Sequence, residues 1–257
     1  MKKIFTIVLL LSLAICLLSC GAKQTKTSPA SGQPTASAPS QTTYTPPLDP
    51  SVTVFVTIVD ENGRVALAQE CVNVEDADGD GKFTILDAFT AAHDLKFEGG
   101  AEAGFLAESS DYGLSIVRLW GSQTSTAFSY YVNAGMSGGL YDELQDGDYL
   151  DAYAYTDCVW YSDHYSCFDK RTVSAAAGEE ITLKMSYTYF DASYALVTAP
   201  APKGVSVLAN GNPVGTVNGE GEVTLSFEEA GTYTITTNSA GLEGYNLVSA
   251  TCIITVG

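Results

Sequence analysis

The sequence is poor in basic residues and in histidine. It contains 12 Lys and Arg residues against 30 Asp and Glu residues, which gives a formal net charge of −18, and its two histidines are His93 and His164. An acidic excess of this size disfavours nucleic acid and anionic membrane surfaces as partners, and it suits cations and an extracellular setting. We therefore expect no nucleic-acid partner.

Catalytic constellations are equally scarce. Gly135-Met136-Ser137-Gly138-Gly139 matches the letters of the G-x-S-x-G nucleophile elbow, but that motif needs a strand-turn-helix in a parallel α/β sheet. Here it falls in a Gly-rich loop between predicted strands, and the two histidines are the only candidate bases. His93 ends the predicted helix and is interpreted as a capping or packing residue. The sequence predicts that the protein is not an enzyme.

The amino terminus has the pattern of a secretory signal. Lys2 and Lys3 precede a predominantly apolar run at residues 4–18, which includes Thr6 and Ser12, and no later stretch is long enough to span a bilayer. The run ends in Leu17-Leu18-Ser19-Cys20, which resembles a bacterial lipobox. Residues 1–19 are thus predicted to be a lipoprotein signal peptide, and Cys20 is predicted to be the lipidation site. The two acyl chains attached there would anchor the protein stably to the membrane. The alternatives are an ordinary signal peptide cleaved nearby and an uncleaved signal anchor.

Composition divides the rest of the chain into three parts. Residues 20–50 comprise the lipidated cysteine and a predicted disordered linker of mostly Ser, Thr, Pro, Ala, Gly and Gln, which cannot bury apolar surface. From residue 51 onward the chain has ample apolar residues for a core, and we expect one domain at 51–170 and a second at 171–257. The protein is expected on the extracellular face of the cell membrane, held there through its lipid.

The first domain is predicted to be α+β. Alternating or apolar segments at 52–59, 65–74, 114–120, 128–133 and 149–155 predict strands, with a turn at Asp60-Glu61-Asn62-Gly63. Leu86, Phe89 and Ala92 recur at helical spacing and predict a helix at 85–95. A curved sheet covering one main helix is the expected arrangement.

The second domain is predicted to be all-β. Short strands are expected at 172–175, 181–187, 205–209, 221–227, 232–237 and 251–256, separated by turn signals such as Ala209-Asn210-Gly211-Asn212. This spacing is typical of an immunoglobulin-like β-sandwich.

Four cysteines lie beyond the lipidation site. Cys158 and Cys167 flank a short aromatic segment and are predicted to form a disulfide, since an extracellular protein can be oxidised. The alternative is two buried or free thiols. Whether Cys71 and Cys252 pair depends on whether the two domains meet.

Residues 76–87 match a calcium loop. Asp76, Asp78 and Asp80 occupy alternate positions, glycine is sixth, Lys82 offers its backbone carbonyl at the seventh position, and Thr84 and Asp87 stand ninth and twelfth. Six such oxygens suit Ca²⁺, and Gly81 permits the sharp turn. The twelfth residue is Asp rather than Glu, as in dockerin-type loops, which predicts a single structural site of modest affinity. The alternative is an Asp-Gly turn that only caps the helix.

An aromatic group follows. Tyr149 and Tyr153 are predicted to share a strand face with Tyr155, and Trp160, Tyr161 and Tyr165 lie between the two cysteines. Amphipathic aromatic residues suit a stacking surface for a flat ligand, a sugar or a partner protein. Core packing is the alternative interpretation.

Several ordered motifs resemble a known family. They are Thr84-Ile-Leu-Asp87, Tyr112-Gly-Leu-Ser-Ile-Val-Arg-Leu-Trp120, Phe128-Ser-Tyr-Tyr-Val-Asn133 and Leu144-Gln-Asp146-Gly-Asp148. Residues 51–169 are similar to the transcobalamin-like carboxy-terminal domain family. The resemblance implies a β-grasp-like fold that, in vertebrate cobalamin carriers, covers one face of the corrinoid. The carriers' helical barrel has no counterpart here, and no catalytic residues transfer.

A second resemblance covers the end of the chain. Gly231-Thr-Tyr233-Thr-Ile-Thr and Ala250-Thr-Cys252-Ile-Ile-Thr-Val256 look like the immunoglobulin-like domain that often follows this module in surface proteins of Gram-positive gut bacteria. Together these features predict a non-enzymatic surface lipoprotein that binds a small molecule, a glycan or a surface protein. The alternative is a capture protein for cobalamin or another corrinoid that feeds an importer.

Overall fold

Strands dominate the structure, a computed structural model that describes residues 50–111 and 113–257. The predicted signal peptide, Cys20 and residues 21–49 of the linker lie outside these residues. Within the described part of the chain, none of the helices is both long and apolar enough to cross a membrane.

The elements follow one another in this order: β1 (Ser51–Val59), β2 (Val65–Glu75), α1 (Ile85–Lys96), α2 (Gly100–Gly104), β3 (Leu106–Ser110), β4 (Gly113–Arg118), β5 (Phe128–Val132), β6 (Gly135–Met136), β7 (Tyr149–Ala154), β8 (Asp163–His164), β9 (Ser166–Phe168), β10 (Thr172–Ala175), β11 (Ile181–Phe190), β12 (Leu196–Pro200), β13 (Ser206–Ala209), β14 (Asn212–Thr216), β15 (Glu222–Leu225), β16 (Gly231–Asn238), β17 (Asn246–Leu247) and β18 (Thr251–Val256). The predicted helix and all eleven predicted strands are present, with ends shifted by up to three residues. The short elements α2, β3, β6, β8, β9, β12, β14 and β17 were not predicted.

The first sheet is mixed, and α1 packs against one of its faces. Its strand order is β2-β1-β7-β5-β6, in which β1 is antiparallel to β2 and parallel to β7. Alternate residues of β1, Val54, Val56 and Ile58, are fully buried in the same core as Ile85 and Phe89 of the helix. This five-stranded sheet is called the mixed sheet below.

The second layer system is a β-sandwich. A five-stranded sheet of order β10-β18-β16-β13-β14 faces a sheet in which β11 pairs with β12, β15 and β9. Leu183 and Met185 of β11 share a core with Ile235 of β16 and Ile254 of β18, so apolar residues of both sheets face inward. Strand β9 precedes residue 170 in the sequence but belongs to the sandwich by pairing.

The predicted Cys158–Cys167 disulfide is not formed, because the two thiols lie on different elements. The Cys158 Sγ lies 3.5 Å from the Tyr155 carbonyl, in the turn that follows β7. Cys167 sits in β9, where its Sγ faces the Ser186 hydroxyl of β11 at 3.7 Å. Pairing within the sandwich therefore takes Cys167 away from the turn.

The other two described cysteines are also free thiols. Cys71 is exposed on β2, whereas Cys252 is fully buried in the sandwich core, where burial raises its pKa to about 12.

The mixed sheet and the sandwich meet through a buried polar seam. The Tyr165 hydroxyl and the Arg171 guanidinium both donate to Asp151 Oδ2 at 2.6 Å, and Arg171 lies 3.0 Å from the tyrosine oxygen. Tyr165 also stacks on Tyr131 of β5 with ring centroids 3.8 Å apart. Burial alone would lower the Arg171 pKa, but the Asp151 carboxylate more than offsets it and the pKa is raised. We call Asp151, Tyr165 and Arg171 the seam.

We expect Arg171→Met to lower the free energy of unfolding by about 3 to 5 kcal/mol, because it leaves a buried carboxylate without its cation. The side chains of Arg171 and Asp151 are 15% and 9% exposed. Chemical denaturation of residues 47–257, which form one compact unit, measures the change. Lys184→Met is the control, since its pair with Glu222 is 63% and 31% exposed and should contribute under about 1 kcal/mol. Equal losses in the two variants would contradict a structural seam.

Candidate functional site

An open cleft of about 470 Å³ lies where the mixed sheet meets the sandwich. Nine of its fifteen lining residues are Tyr, Trp or Phe: Tyr131, Tyr153, Tyr155, Trp160, Tyr161, Tyr165, Tyr189, Phe190 and Tyr194. We call this cavity the aromatic cleft. Its volume falls within the range of small-molecule sites, roughly 300 to 1,000 Å³.

The floor of the cleft is formed by packed tyrosines. Tyr131, Tyr153 and Tyr165 are each at least 97% buried, and burial raises the pKa of Tyr131 to about 12. The Tyr153 hydroxyl donates to the Tyr155 hydroxyl at 3.3 Å, and Tyr155 meets the edge of Tyr161 at 5.5 Å. The floor therefore combines ring faces and edges with phenolic oxygens.

One rim of the cleft is a turn that exposes Trp160. The Asp157 carboxylate accepts the backbone N–H groups of Val159 and Trp160 and the hydroxyl of Ser162, and these bonds, that of Ser162 first, lower its pKa. The indole is 82% exposed, although a large aromatic side chain usually buries its surface. Tyr161 follows with a left-handed backbone, φ 52°.

The opposite rim is the hairpin between β11 and β12. Asp191 Oδ1 accepts the N–H and the hydroxyl of Ser193 and the N–H of Ala195, which fixes the turn. Tyr194 stands at its tip, 88% exposed and with φ 62°. Left-handed backbone is costly for an aromatic residue and tends to cluster at functional sites. Each rim thus contributes a tyrosine with left-handed backbone to the cleft, Tyr161 on one side and Tyr194 on the other.

The cleft has little charge of its own. Its lining includes no Lys or Arg, and its ionisable groups besides tyrosine are Asp163 and His164. The Asp163 carboxylate accepts bonds from the N–H and hydroxyl of Thr156 and from the N–H of Asp157, so it orders the loop rather than facing a ligand. Burial lowers the pKa of His164. This environment favours a neutral ligand with an apolar face and a polar edge.

The structure brings together four of the five predicted ligand-binding residues. Tyr153 and Tyr165 form the floor, and Trp160 and Tyr161 form one rim. Tyr149 lies outside the cleft, where it stacks on Phe55 at 4.9 Å beneath the Arg171 guanidinium. The rim contributed by the sandwich, Tyr189, Phe190 and Tyr194, was not predicted. The run of aromatic residues at 187–194 was the available signal.

The predicted calcium loop gathers three carboxylates. Asp76, Asp78 and Asp80 each place an oxygen within 4.8 Å of the others. Asp76 accepts the backbone N–H groups of Gly79, Asp80 and Gly81, and the bond from Gly81 contributes most to lowering its pKa. Gly81 has φ 85°, the left-handed turn expected at the sixth position. Three hard oxygens in a tight turn fit a divalent cation such as Ca²⁺.

Of the remaining predicted ligands, Thr84 and Asp87 bond to each other, whereas the ion pair of Lys82 involves its side chain and not the backbone carbonyl predicted to bind the ion. The Lys82 ammonium pairs with Glu143 at 2.7 Å. The N–H and hydroxyl of Thr84 donate to Asp87 Oδ2, and the Asp87 N–H donates back to Thr84 Oγ1. This capping box begins α1 and takes Asp87 away from the three-carboxylate group. The loop therefore presents three acidic ligands and a separate helix cap.

His93 is fully buried and held by two hydrogen bonds. Its Nε2 accepts the Trp120 N–H at 3.0 Å, so Nδ1 carries the proton and donates to the Phe89 carbonyl at 2.6 Å. Burial lowers its pKa. Within the described residues, Ser137 of the G-x-S-x-G sequence is bonded to Asp142 and Gly139 and has no histidine partner.

Comparison with known proteins gives no family. No protein-family model matches this chain, and no curated protein matches it. Two solved structures of the amino-terminal four immunoglobulin domains of Dscam1 are each 11% identical to it. Isoform 4.4 aligns with 59% of this chain and 31% of its own, at a TM-score of 0.23. Isoform 8.4 aligns with 81% and 47%, at 0.24. The chain thus spans less than half of either structure, and similarity this low establishes neither fold nor function.

We expect the neutral His93 to make stability depend on pH. Its folded pKa lies below the ordinary 6.5, so its contribution is complete above pH 6.5 and is lost as pH falls below that value, by up to about 1.4 kcal/mol per pH unit. Denaturation of His93→Gln between pH 7 and 5 should show a shallower slope than the parent. His164→Gln, which removes a half-buried ring, should change the slope less. Identical slopes in the parent and His93→Gln would contradict this assignment.

Proposed function

We propose that this chain is a non-enzymatic, surface-anchored lipoprotein that binds or adheres to its target through the aromatic cleft. The observation that carries the proposal is the pair of exposed rims. Trp160 and Tyr194 come from separate halves of the fold, are 82% and 88% exposed, and line one cavity. Solvent-exposed aromatic groups clustered at a cavity mark interaction sites more often than random surface.

The ligand best matched to the cleft is a neutral glycan. A pyranose ring has an apolar face that can stack on tyrosine or tryptophan and a rim of hydroxyls. Tyrosine hydroxyls, Ser162 and Thr188 supply hydrogen-bonding partners of both kinds in the lining. The absence of Lys and Arg from that lining argues against an anionic ligand, and the net charge of −18 adds to this.

The proposed lipid anchor and cellular location are supported by the sequence alone. The apolar leader and Cys20 favour export and lipidation, and the polar segment up to residue 50 would extend the folded part away from the membrane.

The finer fold assignments belong to the same proposal. The mixed sheet with α1 on one face supports a β-grasp-like, transcobalamin-like domain, and the mainly antiparallel sandwich, in which β10 pairs in parallel with β18, supports an immunoglobulin-like one.

The second candidate is a capture protein for a corrinoid. It rests on the resemblance of residues 51–169 to the transcobalamin-like family, and the cleft provides flat faces that a planar macrocycle could cover. Co-elution of residues 47–257 with cyanocobalamin, followed by the visible absorbance of the corrinoid, distinguishes it from glycan binding.

We expect Trp160→Ala and Tyr194→Ala each to weaken glycan binding by roughly tenfold, because truncating a central aromatic contact commonly costs more than 1 kcal/mol. A panel of immobilised neutral glycans, followed by calorimetry on the best binder, provides the measurement. Tyr141→Ala is the matched control, since Tyr141 is 58% exposed but does not line the cleft.

Three results would count against the cleft as a glycan site. They are an equal loss in Tyr141→Ala, unchanged binding in both rim variants, and a parent protein that binds no glycan of the panel. Co-elution with cyanocobalamin that the rim variants abolish would instead select the corrinoid alternative.

We further propose Ca²⁺ as a structural ion at Asp76, Asp78 and Asp80. Added Ca²⁺ should raise the thermal midpoint of the parent, with about 1.4 kcal/mol of stabilisation at ten times the dissociation constant. Asp78→Asn should abolish this response, whereas Glu98→Gln, which removes an exposed acid elsewhere, should retain it. A parent midpoint that is the same with calcium and with chelator would rule out a stabilising site.

A further inference from the structure

A second cavity, of about 660 Å³, lies beside the turn between β1 and β2 and has the opposite electrostatic character to the rest of the chain. Its fifteen lining residues include no Asp or Glu, and Arg64 is the one charged residue among them. The chain as a whole has 30 acidic residues against 12 basic ones. A cavity of this size without a carboxylate is therefore a local exception. We call it the Arg64 pocket.

The acidic neighbours of Arg64 are committed to other partners. Asp60 Oδ1 accepts the backbone N–H groups of Asn62 and Arg64 within the turn. Glu61 Oε2 accepts the N–H groups of residues 123, 124 and 125 and the Thr124 hydroxyl, and the bond from Ser125 contributes most to lowering its pKa. Neither carboxylate forms an ion pair with the arginine side chain in the described part of the chain.

The Arg64 guanidinium consequently has no partner among the described residues, in which the ion pairs are those of Lys82, Lys96, Arg171 and Lys184. Its backbone is fixed by the bonds to Asp60, including the one from the Asp60 N–H to the Arg64 carbonyl at 2.8 Å. A guanidinium presents five N–H donors in a planar fork that matches a carboxylate. The structure thus places an arginine whose guanidinium has no ion pair among the described residues in the lining of an otherwise uncharged cavity.

The walls of the pocket are polar, and several of their polar groups form hydrogen bonds with one another. Asn246 Nδ2 donates to the Thr156 hydroxyl at 3.0 Å, which links the two halves of the fold across the pocket. Ser239 accepts the Leu247 N–H at 2.9 Å. Asn62 and Asn238 are exposed and add amide groups that can donate to or accept from hydroxyls. Such walls suit a ligand with several hydroxyl groups.

We infer that the Arg64 pocket binds a monocarboxylate that carries hydroxyl groups, the chemistry of a hexuronate residue. One guanidinium balances one negative charge. The second charge of a phosphate monoester would have no cation beside it in a protein of net charge −18. The pocket volume suits one or two sugar rings. This site is independent of the aromatic cleft, since the two cavities share no lining residue.

Glucuronate and galacturonate titrated into residues 47–257, followed by amide chemical shifts, test the inference. We expect saturable shifts in residues of the pocket, with glucose binding at least about tenfold more weakly because it lacks the charge-assisted contact. Arg64→Gln should reduce uronate affinity to that of glucose, and rising salt should weaken uronate binding only in the parent.

Two variants serve as controls. Lys203→Gln removes an exposed cation outside the pocket and should leave uronate affinity unchanged. Trp160→Ala should also leave it unchanged, so a failure of glycan binding at the aromatic cleft and a failure here are separately visible. Uronate and glucose binding equally, Arg64→Gln binding uronate like the parent, or no saturable uronate binding would each overturn the inference. Glucose 6-phosphate binding as tightly as glucuronate would overturn the choice of a carboxylate.

Discussion

The buried carboxylate of Asp151 is the constraint on which the arrangement of this protein depends. Its partners come from outside the mixed sheet, since Arg171 begins the segment leading into the sandwich and Tyr165 precedes β9. A buried charge is tolerated only when its hydrogen bonds and its counterion are all in place. The seam therefore fixes how the mixed sheet packs against the sandwich. Because Tyr165 also stacks on Tyr131, the same contacts fix the floor of the aromatic cleft.

The two cavities are complementary in their chemistry, although one short loop contributes to both. Thr156 lines the Arg64 pocket, and Trp160 and Tyr161 line the aromatic cleft. One cavity lacks basic residues and the other lacks acidic ones. Carboxylates in a pocket would offset the positive charge of an arginine. In a strongly acidic protein, a single arginine therefore attracts an anionic ligand most strongly in a pocket that has no carboxylate in its lining. The two proposed sites therefore differ in the ligand charge that each accepts, none in the aromatic cleft and a single negative charge in the Arg64 pocket.

Local patterns predicted local structure well. Alternation of apolar residues placed β1, β2 and most strands of the sandwich, and the 3.6-residue period placed α1. The two-residue strands β6, β8 and β17 were missed because a pair that short has no period to detect. The disulfide prediction was wrong for a related reason. Closeness of Cys158 and Cys167 in the sequence says nothing about the pairing of β9 with β11, which separates them. Likewise, the loop spacing predicted the acidic cluster, while the capping box decided the orientation of Asp87.

By itself the sequence determined α1 and the longer strands, the acidic charge, the turn with its three carboxylates and half of the aromatic cleft. These follow from residue type and short-range spacing, which chain geometry converts directly into a shared face or a tight turn. Tertiary structure alone decided that Tyr194 and Trp160 line the same cavity and that Tyr149 lies outside it. It also decided that Arg64 has no ion pair among the described residues. Such relations join residues far apart in sequence, and they are fixed by packing and by buried charge rather than by any local pattern.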